Sequence, residues 1–559
     1  MQIDENRKQK IVSFLRDYRA WWIAGIFSLL FSAALLFGVR LDSVENVDVQ
    51  DFRLWAALPV LTLLFAVLTR FLWLCLDLLR ERAGRGRLSN KITYVFKKAD
   101  KFIVPGTFFF LFLCWMPVFL AVYPGFFVYD AQDEYIQVAT RVFSTHHPLV
   151  HVLLLGGIIC GVHKLTDSYN LGIACYMIFQ MLLVSGGFTF LLSYFRRKKV
   201  SPILRLVSLL YFGLFPTVVM FTLCSAKDAL FTLTLLLLLI CLLEMGTQEK
   251  AFYASRGWKN LFILSGMGMM LFRNNGFYAF LVMIPILLFL QRRYWRQLLV
   301  IAALAVAGCL LINGGLQVAL QAQSGEYQEL LTVPIQQLAR TYKYAPEVFS
   351  PEDEEILHEI LSEEALRLYT PRLSDPVKYR FDNETFARNK SRYAELWLRV
   401  GMKKPLIYLN AWWMTSYGFW YPDTIINVYG GNTVFTFTYQ DNSYFGYEVE
   451  EPGVRESKIP WLDEVYRKLS LEVWKEKVPV VSWLFSPGAM FWLYAFLFAR
   501  LLNSRRYEVL YPYLPVFLLW LTVLLGPTYL PRYVLFLWYA LPLFLAMNDD
   551  AIVSERIRC

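Results

Sequence analysis

Apolar residues in this chain arrive in uninterrupted blocks of about 20, the length that carries a helix through the hydrocarbon of a bilayer. The clearest blocks are 20–39, 54–79, 102–123, 169–195, 203–222, 229–246, 298–316, 482–502 and 510–526. A soluble chain of similar length would carry roughly 25% charged residues. Here 57% of 559 residues are hydrophobic and 18% charged. The pattern specifies an all-α polytopic membrane protein. The first block follows a charged stretch and precedes further blocks, so it reads as an anchor and not as a cleaved signal peptide.

The net charge of +10 reflects Lys and Arg gathered in loops, and gives no reason to expect a nucleic-acid partner. The eight cysteines lie mostly inside apolar blocks. They form neither a disulfide framework nor a Cys-x-x-Cys metal pattern.

Basic loops stay cytoplasmic. Arg7, Lys8, Lys10, Arg16 and Arg19 place the N-terminus inside, and loop 80–101, with Arg80, Arg82, Arg85, Arg87, Lys91, Lys97, Lys98 and Lys101, is also inside. The acidic loop 40–53 and the segment 124–147 then fall outside. Arg196, Arg197, Lys198 and Lys199 look cytoplasmic, so 148–195 must cross once although it holds two apolar runs. The weaker run, 148–163, is expected to be interfacial or re-entrant, a form tolerated where protein covers it; the alternative puts the basic quartet outside. Shorter helices at 260–272, 277–290 and 534–547 complete about twelve crossings, with both termini inside. Residues 317–481 form a large outer segment. Helix-like acidic stretches occupy 351–404, and an aromatic stretch at 405–420 dips toward the interface. Gly, Asn, Thr and Tyr at 421–460 suggest loops and short strands. The acidic run Glu352–Glu355 reads most simply as a solvated helix face.

Six polar islands fall on the outer side. In Tyr129-Asp130-Ala131-Gln132-Asp133-Glu134-Tyr135-Ile136-Gln137, Asp130, Asp133 or Glu134, and Gln137 share one face of a helix that suits the membrane surface. Helix capping by Asp130 is the simpler reading, and both can hold for one residue. His146-His147-Pro148 follows, with His151 nearby. A divalent cation, Mg or Mn, held by Asp130, Asp133 and His147 is one expectation, although the spacing matches no closed metal site; a metal-free site is the other. Lys227-Asp228 sits between two apolar runs, where snorkelling to water competes with pairing inside the bundle. Arg273-Asn274-Asn275-Gly276 breaks an apolar run, either as a simple turn or as a charge facing a polar cavity. Pro334-Ile335-Gln336-Gln337-Leu338-Ala339-Arg340 and Pro527-Thr528-Tyr529-Leu530-Pro531-Arg532-Tyr533 are the last two. Cations at Lys227, Arg273, Arg340 and Arg532 with neighbouring tyrosines suit an amphiphilic anion such as a lipid phosphate.

In their order, an outer acidic residue, His-Pro, many spans and an outer segment resemble the GT-C membrane glycosyltransferases. More narrowly, Tyr123-Pro124-Gly125 with Tyr129-Asp130, Lys227-Asp228, Arg273-Asn274-Asn275-Gly276, Pro334-Ile335-Gln336-Gln337 and Pro531-Arg532-Tyr533 look like a bacterial family of uncharacterised multi-span proteins, DUF6020. The resemblance covers about 102–547. Residues 1–101, with their two spans, look like an addition to a core at 102–316, followed by the outer segment 317–481 and C-terminal helices at 482–559.

The resemblance implies an inverting transferase that moves a sugar from a polyprenyl-phosphate donor to a cell-envelope glycan on the outer face. Asp130 would position or activate the acceptor, with Asp133 and Glu134 beside it. Donor phosphate would meet Lys227, Arg273 and Arg532. His147, Asn274, Asn275, Gln336, Gln337, Arg340 and Tyr533 would contact substrate. The acidic cluster is fuller than a single Asp, and a second His precedes Pro148, so the essential carboxylate and the need for a metal stay open. A flippase or transporter, or a polymerase of polyprenyl-linked surface glycans, is the competing expectation. A single helix break and the absence of internal repeats weigh against a transporter.

Overall fold

The computed structural model describes residues 16–83, 103–424, 426, 449–471, 478 and 480–549. Much of the basic loop 80–101, the residues Arg7, Lys8 and Lys10, and the C-terminal tail lie outside this set. Among the described residues no strand forms, only isolated bridges such as Phe126 with Cys224.

Seven of the described helices are long and apolar enough to cross a membrane, or up to eight if one bent pair counts as a span. In chain order the principal helices begin with α1 (Tyr18–Val44), α2 (Phe52–Ala83) and α3 (Ile103–Ala121). Next come α4 (Tyr129–Thr140), α5 (Leu149–Thr166) and α6 (Tyr169–Arg197). α7 (Pro202–Leu214) and α8 (Pro216–Thr222) form the bent pair, with a 54° angle between them. The bend falls at Phe215-Pro216, where proline lacks the N–H that would continue the helix. α9 (Asp228–Thr247) is buried around its circumference, whereas α1 and α2 leave most of theirs open to lipid. Then follow α10 (Arg256–Phe272), α11 (Asn274–Leu290) and α12 (Trp295–Leu320). α12 runs past the expected span 298–316, so the polar segment after it starts later. Gly276, one turn into α11, is required by close approach: a Cβ there would lie 2.2 Å from the Met269 carbonyl oxygen.

The segment that follows α12 folds around a core of its own, with Ile335, Leu338, Leu357, Leu361, Leu396 and Val400 buried together. Its described part is helical and not mixed. The reason is local: pairs such as Leu357 with Leu361 and Leu396 with Val400 repeat at helical spacing. The loop-and-strand stretch expected at 421–460 falls largely outside the described residues; its described end, 449–459, is turn and coil, and a helix follows at Pro460–Leu471. α13 (Thr332–Tyr344) lies in this lobe. The aromatic stretch becomes α14 (Pro405–Ser416), a seam between lobe and bundle. Asn410 bonds the backbone of Val47 through both side-chain atoms, and Trp412 donates to the Leu524 carbonyl. The chain returns as α15 (Pro487–Asn503) and α16 (Tyr513–Val523). The expected helix at 534–547 is instead three short pieces, Pro531–Val534, Phe536–Tyr539 and Leu541–Met547.

Where the sequence suggested an interfacial or re-entrant segment, α5 qualifies as a span by length and composition, and its contacts fix its tilt. The start of α3 and the end of α6 flank one crevice, with Val104 and Phe108 beside Thr189 and Arg197. The two helices therefore run antiparallel. Asn170, at the start of α6, bonds Glu456, whose N–H donates to the Tyr123 carbonyl just beyond α3. The first turn of α5 meets Tyr176 through His151, and its last turn stacks His163 on Tyr169. Tyr169 and Tyr176 are about 10 Å apart along α6, while α5 itself is about 27 Å long. α5 is therefore inclined to α6 and does not pack along its length.

Candidate functional site

The N-cap of α4 is Val128, which makes no side-chain cap bond, so Asp130 is a first-turn residue and not the cap. Its carboxylate is buried and its Oδ2 accepts from Lys227 Nζ at 3.1 Å and from Arg532 Nη2 at 2.6 Å. An isolated buried carboxylate would be expensive, and two cations offset that cost. Local backbone explains the meeting. Phe126 pairs with Cys224 in a parallel bridge, Ser225 Oγ donates to the Phe126 carbonyl, and the Val128 N–H donates to Ser225 Oγ. The turn carrying Lys227 is thereby clamped to the turn that opens α4. Arg532 arrives from the turn after α16.

The ion pairs continue. Asp228, 1% exposed, lies 3.3 Å from Arg273 Nη1 and 3.7 Å from Arg532 Nε. Charges therefore alternate along Lys227, Asp130, Arg532, Asp228 and Arg273. The Arg273 guanidinium also sits over the Tyr533 ring, 5.2 Å from its centre, a cation–π arrangement. Thus Lys227-Asp228 pairs within the bundle, and Arg273 faces a cavity as well as breaking a helix.

One helical turn beyond Asp130, Glu134 is fully buried and bonded to His151 Nδ1. His151 Nε2 meets the Tyr176 hydroxyl at 2.7 Å, and Tyr176 donates to Gln180 Oε1 at 3.2 Å. Gln180 in turn donates to the carbonyls of Thr222 and Cys224, each at 2.8 Å. The network anchors α4 on α6 and on the turn before Lys227. His147 Nδ1 is 2.9 Å from Lys227 Nζ. Asp133 is the exposed carboxylate of this group: its side chain is 60% exposed, with Oδ2 4.0 Å from His147 Nε2.

Burial raises the Asp130 pKa, but Arg532, Lys227 and His147 together outweigh it and hold the carboxyl well below the usual range. Glu134 is also lowered: burial opposes ionisation, and His151 then favours it. Both depressed carboxylates stabilise the fold above their unfolded values near pH 4, and that contribution is lost as pH falls through the folded values. The thermal midpoint of the detergent-solubilised protein should accordingly hold from pH 7 to 5 and fall steeply below about pH 4. Asp130→Asn should flatten that acid limb. An unchanged limb in the variant would refute the linkage.

A cavity of about 560 Å³ opens over this chain of charges, lined from the bundle by Asp130, His146, His147, Lys227, Asn274 and Asn275, together with Arg273, Arg532 and Tyr533. That is the size of a small-molecule site. Gln336, Gln337 and Arg340 are elsewhere. Gln336 donates to the Thr370 carbonyl, Gln337 is bonded to Tyr408 and Trp397, and Arg340 reaches Tyr369 and the Glu45 carbonyl. They lie on the buried face of α13 and knit the lobe to itself and to the end of α1. Glu329, Asp375, Lys378 and Tyr379 do line the cavity, and sequence reasoning missed them. No motif surrounds them, and only folding of the lobe brings 329 beside 375–379.

Among the described residues no group of three or more His, Cys, Asp or Glu side chains is arranged to hold a metal ion. Asp130, Asp133 and His147 do not fit one: the Lys227 ammonium sits between Asp130 and His147 Nδ1, and Asp133 comes no nearer to His147 than 4.0 Å.

Residues 136–549 match the model of a family of unknown function, DUF6020. No curated protein and no solved structure matches the chain.

Proposed function

The chain belongs to the DUF6020 family, and from that premise we propose that it is an integral membrane glycosyltransferase of bacterial origin and GT-C type. It would transfer a sugar from a polyprenyl-phosphate donor to a cell-envelope glycan on the outer face, with about twelve crossings and both termini inside. The observation that carries this reading is the Asp130 carboxylate, buried between Lys227 and Arg532 at the foot of an open cavity at one end of an apolar bundle. An apolar bundle suits a lipid-linked donor, and paired cations suit its phosphate.

In this reading the phosphate lies against Arg273 and Arg532, and the acceptor hydroxyl is held by Asp130. The hydroxyl oxygen bonds to the anomeric carbon while that carbon's bond to the phosphate oxygen breaks, inverting the centre. The electron pair leaves on the phosphate, and the hydroxyl proton passes to Asp130. A carboxylate with so low a pKa is a weak base, so it orients the hydroxyl first and takes the proton late. Charge growing on the leaving phosphate meets the arginines and Lys227. One such donor is worth about 3 kcal/mol of barrier.

Purified protein given a polyprenyl-phosphate sugar and an envelope glycan should release polyprenyl phosphate in step with sugar incorporation. A flippase would release none. Use of donors with two phosphates alone would favour the polymerase reading.

A further inference from the structure

The cavity has a second wall, contributed by the outer lobe. The short helix Asp375–Lys378 turns the Lys378 side chain back across its own first residue. Lys378 is 3% exposed, and its Nζ lies 3.0 Å from Asp375 Oδ1 and 3.0 Å from Glu329 Oε2. An ammonium ion is tolerated at that depth because two carboxylates meet it. Each carboxylate keeps a second oxygen, and both residues line the cavity. The wall is fixed in place: the Ser374 N–H donates to the Pro527 carbonyl at 3.1 Å, in the turn that leads to Arg532. Glu329 is near enough to His146 to act on its charge, so the lobe wall looks across at the bundle wall.

The two walls differ in sign. Two carboxylates stand against one ammonium on the lobe side. Three cations, Lys227, Arg273 and Arg532, stand against Asp130 and Asp228 on the bundle side. A ligand that satisfies both has an anionic group at one end and hydroxyl donors at the other. Carboxylate oxygens accept strongly from hydroxyls, and such charge-assisted bonds are about twice as strong as neutral ones.

We infer that Glu329 and Asp375, bridged by Lys378, form the subsite that grips the hydroxyls of the sugar carried on the lipid phosphate, and so set sugar specificity. This rests on the proposed transferase reading and adds residues from outside the bundle to it. The sugar lies between the walls, its phosphate on the bundle side and its hydroxyls on the lobe side.

The test uses Glu329→Gln and Asp375→Asn in the full chain, since each amide keeps an oxygen for Lys378. Four probes are titrated in detergent: polyprenyl phosphate, and polyprenyl phosphate bearing glucose, mannose or galactose. Each variant should lose roughly 10- to 100-fold in affinity for the sugar-bearing lipids that wild type binds. Polyprenyl phosphate should bind the variants at least as tightly as wild type. Equal loss for all lipids would mean a packing defect and would overturn the subsite. So would unchanged affinity for the sugar-bearing lipids, or a wild type that binds polyprenyl phosphate but none of its glycosides. A wild type that binds none of the four lipids would instead sink the transferase reading itself.

Discussion

Asp130→Asn is expected to lower sugar transfer by at least about 10³-fold, within the range that positioned acid–base groups contribute, while the protein still inserts and folds. The amide is isosteric and keeps one oxygen for a cation. Arg532 retains Asp228 at 3.7 Å, and Lys227 retains His147 Nδ1 at 2.9 Å and Glu134 at 3.9 Å. The charge cluster therefore survives, but the acceptor hydroxyl loses its anionic partner and the proton its destination. Transfer and binding of polyprenyl phosphate should be measured on one preparation. Loss of the first with the second retained is the expected result. Near-normal turnover would rule out Asp130 as the group that handles the acceptor.

Arg532→Ala is expected to act on the fold as well as on transfer. Arg532 is the link between two buried carboxylates, 2.6 Å from Asp130 and 3.7 Å from Asp228. Removing one partner of a buried pair leaves the other uncompensated, which costs about 3 kcal/mol. Coupling gives the sharper test. Asp130→Asn combined with Arg532→Ala should be less destabilised than the sum of the single variants by about 1 kcal/mol, because the second change relieves a charge stranded by the first. Additive effects on the unfolding free energy would mean that the 2.6 Å pair is not a working unit.

Much of the bundle was legible along the chain. The α1, α2, α3, α6 and α9 blocks are apolar over span length, and bilayer thickness alone demands that. The site was legible in pieces. Asp130, Lys227, Arg273 and Arg532 each stood out as a charge beside apolar sequence, and all four line one cavity. Asp133 and Gln336 were equally conspicuous and do not line it. Helical spacing admits Asp133 and Glu134 alike to the face of Asp130, and packing against α5 and α6 buries only Glu134. α13 carries a polar run into the core of a lobe, where amides satisfy backbone carbonyls.

Membrane character, the helical class of the bundle and the identity of the cations followed from local composition, since the cost of moving a residue between water and lipid depends chiefly on that residue. Three things did not. α5 read as a weak apolar run along the chain, and its tilt comes from where His151 and His163 find partners. Asp130 could equally have been a helix cap until Lys227 and Arg532 arrived from positions 97 and 402 residues away. Glu329 and Asp375 became a cavity wall only when the lobe closed around Lys378. Pairing energies depend on distance in space, and chain order does not specify that distance until the helices pack.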